Sequence, residues 1–223
     1  MKKSKINIKL LCLYGLFAAA VIACGVIGGD RWYNIVCSVA AIVYLLLLTD
    51  GVKYGYLLCA AYAAGYTVIA FGSGFYATAA FHALVLLPTA IYRFIASFGK
   101  NAGEEKIGAL SVKGWAAATM ACCALSAGLY FLLRAVGDSQ PLLDGAILSL
   151  SLLTSLFMLR NYSEMWLFNL GGSVLYVVMW TVQYVTSGAG LAFAVVQAIV
   201  SVINVKGVID WKRRAGRNKE NKE

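Results

Sequence analysis

Residues 164–186 read EMWLFNLGGSVLYVVMWTVQYVT, and beyond Glu164 this stretch holds no charged side chain. At about 1.5 Å per residue it is long enough to cross the roughly 30 Å hydrocarbon layer of a bilayer as one helix. Its apolar residues run continuously instead of alternating with polar ones, which excludes a strand of a membrane barrel. The polar residues it does hold are ordered. Trp166, Asn169, Ser173, Tyr176, Trp180 and Gln183 recur at steps of three and four, so they form one stripe of a helix. Polar groups aimed at lipid would cost free energy, so the stripe is expected to face protein.

The chain around this stretch supplies the neighbours. Of 223 residues, 61% are hydrophobic and only 13% charged, against roughly a quarter charged in soluble domains. Approximately eight segments qualify as spans: 9–27, 31–49, 54–72, 75–98, 113–136, 141–160, 164–186 and 189–211. Glycine-bearing turns such as Gly28-Gly29-Asp30, Gly72-Ser73-Gly74 and Ser187-Gly188 separate several of them. The fold class is therefore an all-α integral membrane protein of about eight transmembrane helices. Met1-Lys2-Lys3-Ser4-Lys5 and the apolar run after it resemble a signal peptide, but no cleavage site follows, and the run is read as a retained first helix.

Charge sets the orientation. Of the 19 lysines and arginines, only Arg31 and Arg134 fall outside the cytoplasmic segments if the N-terminus is inside. The positive-inside rule then puts both termini in the cytoplasm, as an even helix count requires, and the cell envelope implied is a bacterial inner membrane. The net charge of +9 sits in loops and termini, the pattern of contact with anionic lipid and not of nucleic-acid binding. Enzyme motifs are missing: there is no H-E-x-x-H, no phosphate-cradling glycine loop ending in lysine, and Gly72-Ser73-Gly74 is not a rhomboid-type serine motif. The six cysteines form no C-x-x-C and no zinc spacing with the single histidine, so neither metal nor cofactor is expected.

The longest polar gap, from Gly99 to Ser111, divides the chain into an extra N-terminal helix (1–30), a first three-helix bundle (31–98), a cytoplasmic loop and linking helix (99–140), a second three-helix bundle (141–214) and a basic tail (215–223). The last helix of each bundle opens alike, Gly72-Ser73-Gly74-Phe75 against Gly188-Ala189-Gly190-Leu191, and a slide of 116 residues also aligns Ala77-Thr78-Ala79-Ala80 with Phe193-Ala194-Val195-Val196. Three helices, one linker and three helices of the same sidedness make a parallel repeat, which in transporters places the site between the halves.

Several short motifs in this order resemble the PnuC family of vitamin transporters. Arg160-Asn161-Tyr162-Ser163-Glu164-Met165-Trp166 is similar to that family's basic residue and E-x-W opening. Gly207-Val208-Ile209-Asp210-Trp211 followed by Lys212, Arg213 and Arg214 is similar to its ending. Tyr66 through Gly74-Phe75-Tyr76 and on to Pro88 is similar to its aromatic turn and later proline. The resemblance covers about 31–214. It implies a 3+1+3 bundle of SWEET-like architecture, a homotrimer, and facilitated diffusion of nicotinamide riboside, thiamine or riboflavin, trapped inside by a cytoplasmic vitamin kinase. Asn169 and Ser173 stand where many members carry a second tryptophan and an asparagine, which leaves the choice among the three vitamins open.

The candidate substrate-binding residues are Trp166, Asn169, Ser173, Tyr176 and Trp180 on one helix, Gln197 and Asn204 (with Ser201 between them) on the next, and Tyr62, Tyr66 and His82 in the first half. Aromatic faces stack a heteroaromatic ring, while amides and hydroxyls meet ring or sugar groups. The rival role for the stripe is helix–helix hydrogen bonding, and for Trp166 and Gln183 a place in the interfacial belt. Pro88 is expected to kink its helix and free a carbonyl. No acidic residue lies mid-helix; Asp30, Asp50, Asp138, Asp144, Glu164 and Asp210 all fall near ends, which favours a uniporter over an ion-coupled carrier. Arg160 and Glu164 are spaced for an ion pair at the cytoplasmic edge. A vitamin-binding subunit of an ATPase-driven importer is the alternative from another class, and the small-residue face Ala19-x-x-x-Ala23 would suit its packing.

Overall fold

The computed structural model describes residues 8–49, 52–98, 108–160 and 162–220. The basic residues of the extreme N-terminus, Asp50 and Gly51 of the second turn, most of the long polar gap, and Asn161 lie outside the described residues. All regular structure among those described is helical: α1 (Ile8–Ile27), α2 (Trp32–Thr49), α3 (Tyr54–Gly72), α4 (Tyr76–Phe81), α5 (Leu87–Ala96), α6 (Val112–Ala135), α7 (Pro141–Leu159), α8 (Met165–Ser187) and α9 (Leu191–Glu220). Among the described residues, six stretches are long and apolar enough to cross a membrane: Tyr54–Gly72, Tyr76–Ala96, Val112–Ala135, Pro141–Leu159, Met165–Ser187 and Leu191–Ile209. Shorter apolar stretches, Tyr14–Ile27 and Trp32–Leu45, lie in α1 and α2. α9 runs past the expected end of its span, because the Lys, Arg and Glu of the basic segment are good helix formers and no proline stops them.

The span 76–96 is not one uniform helix. His82–Leu86 forms a π-helical turn between α4 and α5, in which the Leu87 N–H bonds the His82 carbonyl five residues back. Pro88 explains the change: it has no N–H to give, and its ring crowds the carbonyl a turn earlier, so a wider turn relieves the clash. The expected kink is therefore spread over a bulge that begins at the chain's single histidine.

The two halves meet where α2 packs on α9 and α4 packs on α7. Carboxylates tie these seams at one end of the bundle. Asp30, just after the α1–α2 turn, accepts the N–H groups of Gly190 and, at 2.7 Å, Ala192 at the start of α9. Asp138, just after α6, accepts the Tyr76 N–H at 2.8 Å, and Asp144 accepts the N–H groups of Ala77 and Thr78 at 2.8 and 2.9 Å. A helix start leaves its first N–H groups without intrahelical partners, and away from water only protein can satisfy them. Asp144 is fully buried. The sequence places it near a helix end and so sets it aside; the structure makes it the cap of a helix in the other half.

Gly190 shows how tightly this end is built. It holds φ +109°, and a Cβ there would lie 2.6 Å from the Trp180 ring. Gly190→Ala is therefore expected to combine backbone strain with a clash against a buried indole, lowering stability by about 2–4 kcal/mol, read as a fall in the detergent-solubilised melting temperature.

Candidate functional site

An aromatic cluster spans the seam between the halves. Tyr62 and Tyr66 lie one turn apart on α3, and their rings stack with centroids 5.3 Å apart. The Trp180 indole N–H on α8 donates to the Tyr66 hydroxyl at 2.7 Å, a bond between residues 114 apart in sequence. Phe193 of α9 closes on both, 4.6 Å from Trp180 and 5.0 Å from Tyr66. Phe75 meets the Trp180 ring edge to face at 5.1 Å. His82 packs 4.4 Å from Tyr66 and is held by the Thr78 carbonyl, 2.8 Å from its Nδ1. Tyr66, Trp180, Phe193 and Phe75 are at most 1% exposed. In this state the rings close on one another.

Thr78 joins this cluster to the caps. Its N–H and hydroxyl both bond Asp144, its carbonyl holds His82, and its hydroxyl lies 3.5 Å from that of Tyr176. One carboxylate thus fixes the start of α4 and, through it, side chains of both halves.

A second, polar group lies further along α8 and α9. Asn169 donates to Asn204 at 2.8 Å, Asn204 donates to Ser173 at 3.2 Å, and Ser173 donates to the Leu170 carbonyl. The Ser201 hydroxyl lies 2.9 Å from that of Ser173 and 2.8 Å from the Gln197 carbonyl. These groups satisfy one another across the α8–α9 interface. Gln197 sits one turn from Phe193 and one from Ser201, is 8% exposed, and its side-chain amide has no hydrogen bond among the described residues. It joins the two groups and keeps a donor and an acceptor to offer. Gln197→Ala is expected to weaken substrate binding about tenfold while leaving the melting temperature nearly unchanged, whereas Asn204→Leu, which orphans Asn169, is expected to lower stability by about 1–2 kcal/mol. Parallel titration and thermal unfolding check both.

The structure does not bring all ten candidates together. Trp166 lies fourteen residues from Trp180, about 21 Å along α8, and packs flat on Gly207 of α9 so closely that a Cβ there would enter its ring. Gln183 turns to a cavity at the other end of the helix. Glu164 is not paired with Arg160 among the described residues. Its carboxylate accepts the Leu110 N–H at 2.8 Å and the Ser163 hydroxyl at 3.1 Å, because the chain leaving the long polar gap folds back onto this corner. Phe75, Phe193, Thr78 and Asp144 join the site without having been singled out as binding candidates. The two phenylalanines follow the matching Gly-x-Gly turns, the one signal in the sequence that marked their position.

Comparison with known proteins agrees with this architecture. The sequence profile described as nicotinamide mononucleotide transporter matches residues 31–213. The chain is 29% identical over 175 residues to the nicotinamide riboside transporter PnuC of Haemophilus influenzae, covering 74% of this chain and 75% of that one. It is 22% identical over 197 residues to the protein of the same name from Neisseria mucosa, covering 85% and 75%. The crystal structure of the vitamin B3 transporter PnuC superposes with a TM-score of 0.75 at 21% identity, over 95% of this chain and 93% of that chain. That match includes most of the chain, so it extends beyond the 31–213 core.

Proposed function

Because the chain belongs to the nicotinamide mononucleotide transporter family, we propose that it carries nicotinamide riboside across the bacterial inner membrane by facilitated diffusion. The observation that supports this most is the Tyr66–Trp180 bond with Phe193 closing over it. Three large rings from both halves converge on one point, where alternating access requires the site to lie. Flat walls suit the pyridinium ring, and Gln197 with the polar group beyond it suits the amide and the sugar. Trp166 lines the cytoplasmic exit instead of the central site. Phosphorylation of the vitamin by a cytoplasmic kinase makes uptake one-way, so the transporter itself needs no energy source and performs no chemistry.

The finer architecture follows the same reading: a 3+1+3 bundle of residues 31–214 preceded by one further helix, with both termini cytoplasmic, and a homotrimer as the resemblance implies. Hydrogen bonds between loops support the sidedness. The turns at Asp30 and Gly190 bond each other, as do those at Gly74 and Ser139, on the side assigned outside; Lys53 reaches the Ser97 carbonyl on the side assigned inside.

Proteoliposomes without ion gradients test the mechanism. Labelled nicotinamide riboside should equilibrate and exchange against unlabelled vitamin. Uptake that requires a proton or sodium gradient, or a copurifying ATPase, would overturn the uniporter.

A further inference from the structure

A cavity of about 920 Å³ runs along α2 and α3, from the end of the bundle assigned to the outside, where the end of α8 borders it, down to Leu58 near the start of α3. This is the size range of small-molecule pockets, roughly 300–1,000 Å³. Both halves line it: Asn34, Gly65 and Tyr62 come from the first, and Gln183 from the second. Its inner wall is continuous with the aromatic cluster, since Tyr62 borders the cavity and stacks on Tyr66. Asn34 is 6% exposed, and its Oδ1 has no hydrogen-bond partner among the described residues. One turn further along α2, the fully buried Ser38 hydroxyl likewise has no partner among the described residues. A buried polar atom without a partner is costly, and a visiting ligand can recover that cost.

We propose that this cavity is an entry subsite for the sugar of the nucleoside, with Asn34 Oδ1 accepting a ribose hydroxyl before the base moves on to the aromatic cluster. What the site lacks decides the ligand class. An unpaired amide oxygen needs a hydrogen-bond donor: sugar hydroxyls bring several on one rigid ring, and lipid acyl chains bring none. The glycerol headgroup of phosphatidylglycerol and the carboxamide of nicotinamide, which also bring donors, are the controls of the test below. Among the described residues, the one cation lining it, Arg31, donates to the Tyr33 hydroxyl at the start of α2 at 2.9 Å. The subsite rests on the transport reading above and adds a second point of contact to it.

Gly65 offers a probe. It lines the cavity, and a Cβ there would meet only Cys37 Sγ, at 3.8 Å. Gly65→Cys, in a chain whose native cysteines are changed to alanine, is alkylated with a small maleimide in detergent, with nicotinamide riboside, nicotinamide or phosphatidylglycerol added in turn. Nicotinamide riboside is expected to slow alkylation at least threefold, nicotinamide much less, and Asn34→Leu to remove the protection. Trp180→Phe, which weakens the central site, should leave the half-protecting concentration unchanged. A half-protecting concentration that follows Trp180→Phe would instead mean closure triggered from the centre, and overturns the subsite. So do equal protection by nicotinamide, protection by phosphatidylglycerol alone, and no protection in protein that calorimetry shows to bind the riboside. Absence of binding in calorimetry as well overturns the transport reading along with it.

Discussion

Trp180→Ala is expected to abolish measurable vitamin binding, a loss of at least about 30-fold in affinity, or about 2 kcal/mol. The indole is 1% exposed and touches Tyr66, Phe75 and Phe193, so its removal takes away a stacking wall and the donor that orients Tyr66. Truncation of a buried tryptophan also costs about 3–5 kcal/mol of stability, and the variant alone cannot separate the two effects. Trp180→Phe does. It keeps an aromatic wall, though one ring smaller, and removes the N–H to Tyr66, so affinity should fall about tenfold while the protein loses far less stability than Trp180→Ala. Full affinity in Trp180→Phe would show that the Tyr66 orientation is irrelevant to the ligand.

Asp144→Ala carries the second large effect, this time on folding. The carboxylate receives two backbone N–H groups and the Thr78 hydroxyl in a fully buried place. Alanine leaves all three donors unpaired, at a combined cost on the order of 3 kcal/mol. For a chain of this length that lowers the melting temperature by roughly 6–12 °C. Asp144→Asn retains one carbonyl oxygen and should recover part of the loss. Because Thr78 also holds His82 and faces Tyr176, binding by the folded fraction of Asp144→Asn should weaken too. A melting temperature unchanged in both variants would mean that the start of α4 finds other partners.

Sequence periodicity was a good guide wherever one helix decided the matter. Continuous apolar runs marked the six stretches long enough to cross a membrane among the described residues, since a bilayer demands length and uniformity that no other environment does, and the stripe on α8 put Tyr176 and Trp180 on the face that meets the other half. It was a poor guide to distance along that stripe. Trp166 and Trp180 share a face, yet about 21 Å of helix separates them, so a common face does not make a common site. Asn169, Ser173 and Asn204 turned out to bond one another across α8 and α9, a role their spacing could equally well announce. Phe75 and Phe193 were illegible as members of the central cluster because a phenylalanine in an apolar run looks the same whether it meets lipid or the centre. Asp144 was hidden for a related reason: its position in α7 says helix start, and only the fold brings the N-terminus of α4 against it.

The central claim is that nicotinamide riboside binds at the aromatic seam between the halves. Calorimetric titration of the purified protein with nicotinamide riboside, thiamine and riboflavin, beside Trp180→Phe, tests it most directly. Saturable binding of nicotinamide riboside alone, weakened about tenfold in Trp180→Phe, is the expected result. Binding of thiamine or riboflavin in its place, no binding of any of the three by folded protein, or riboside binding indifferent to Trp180→Phe would contradict it.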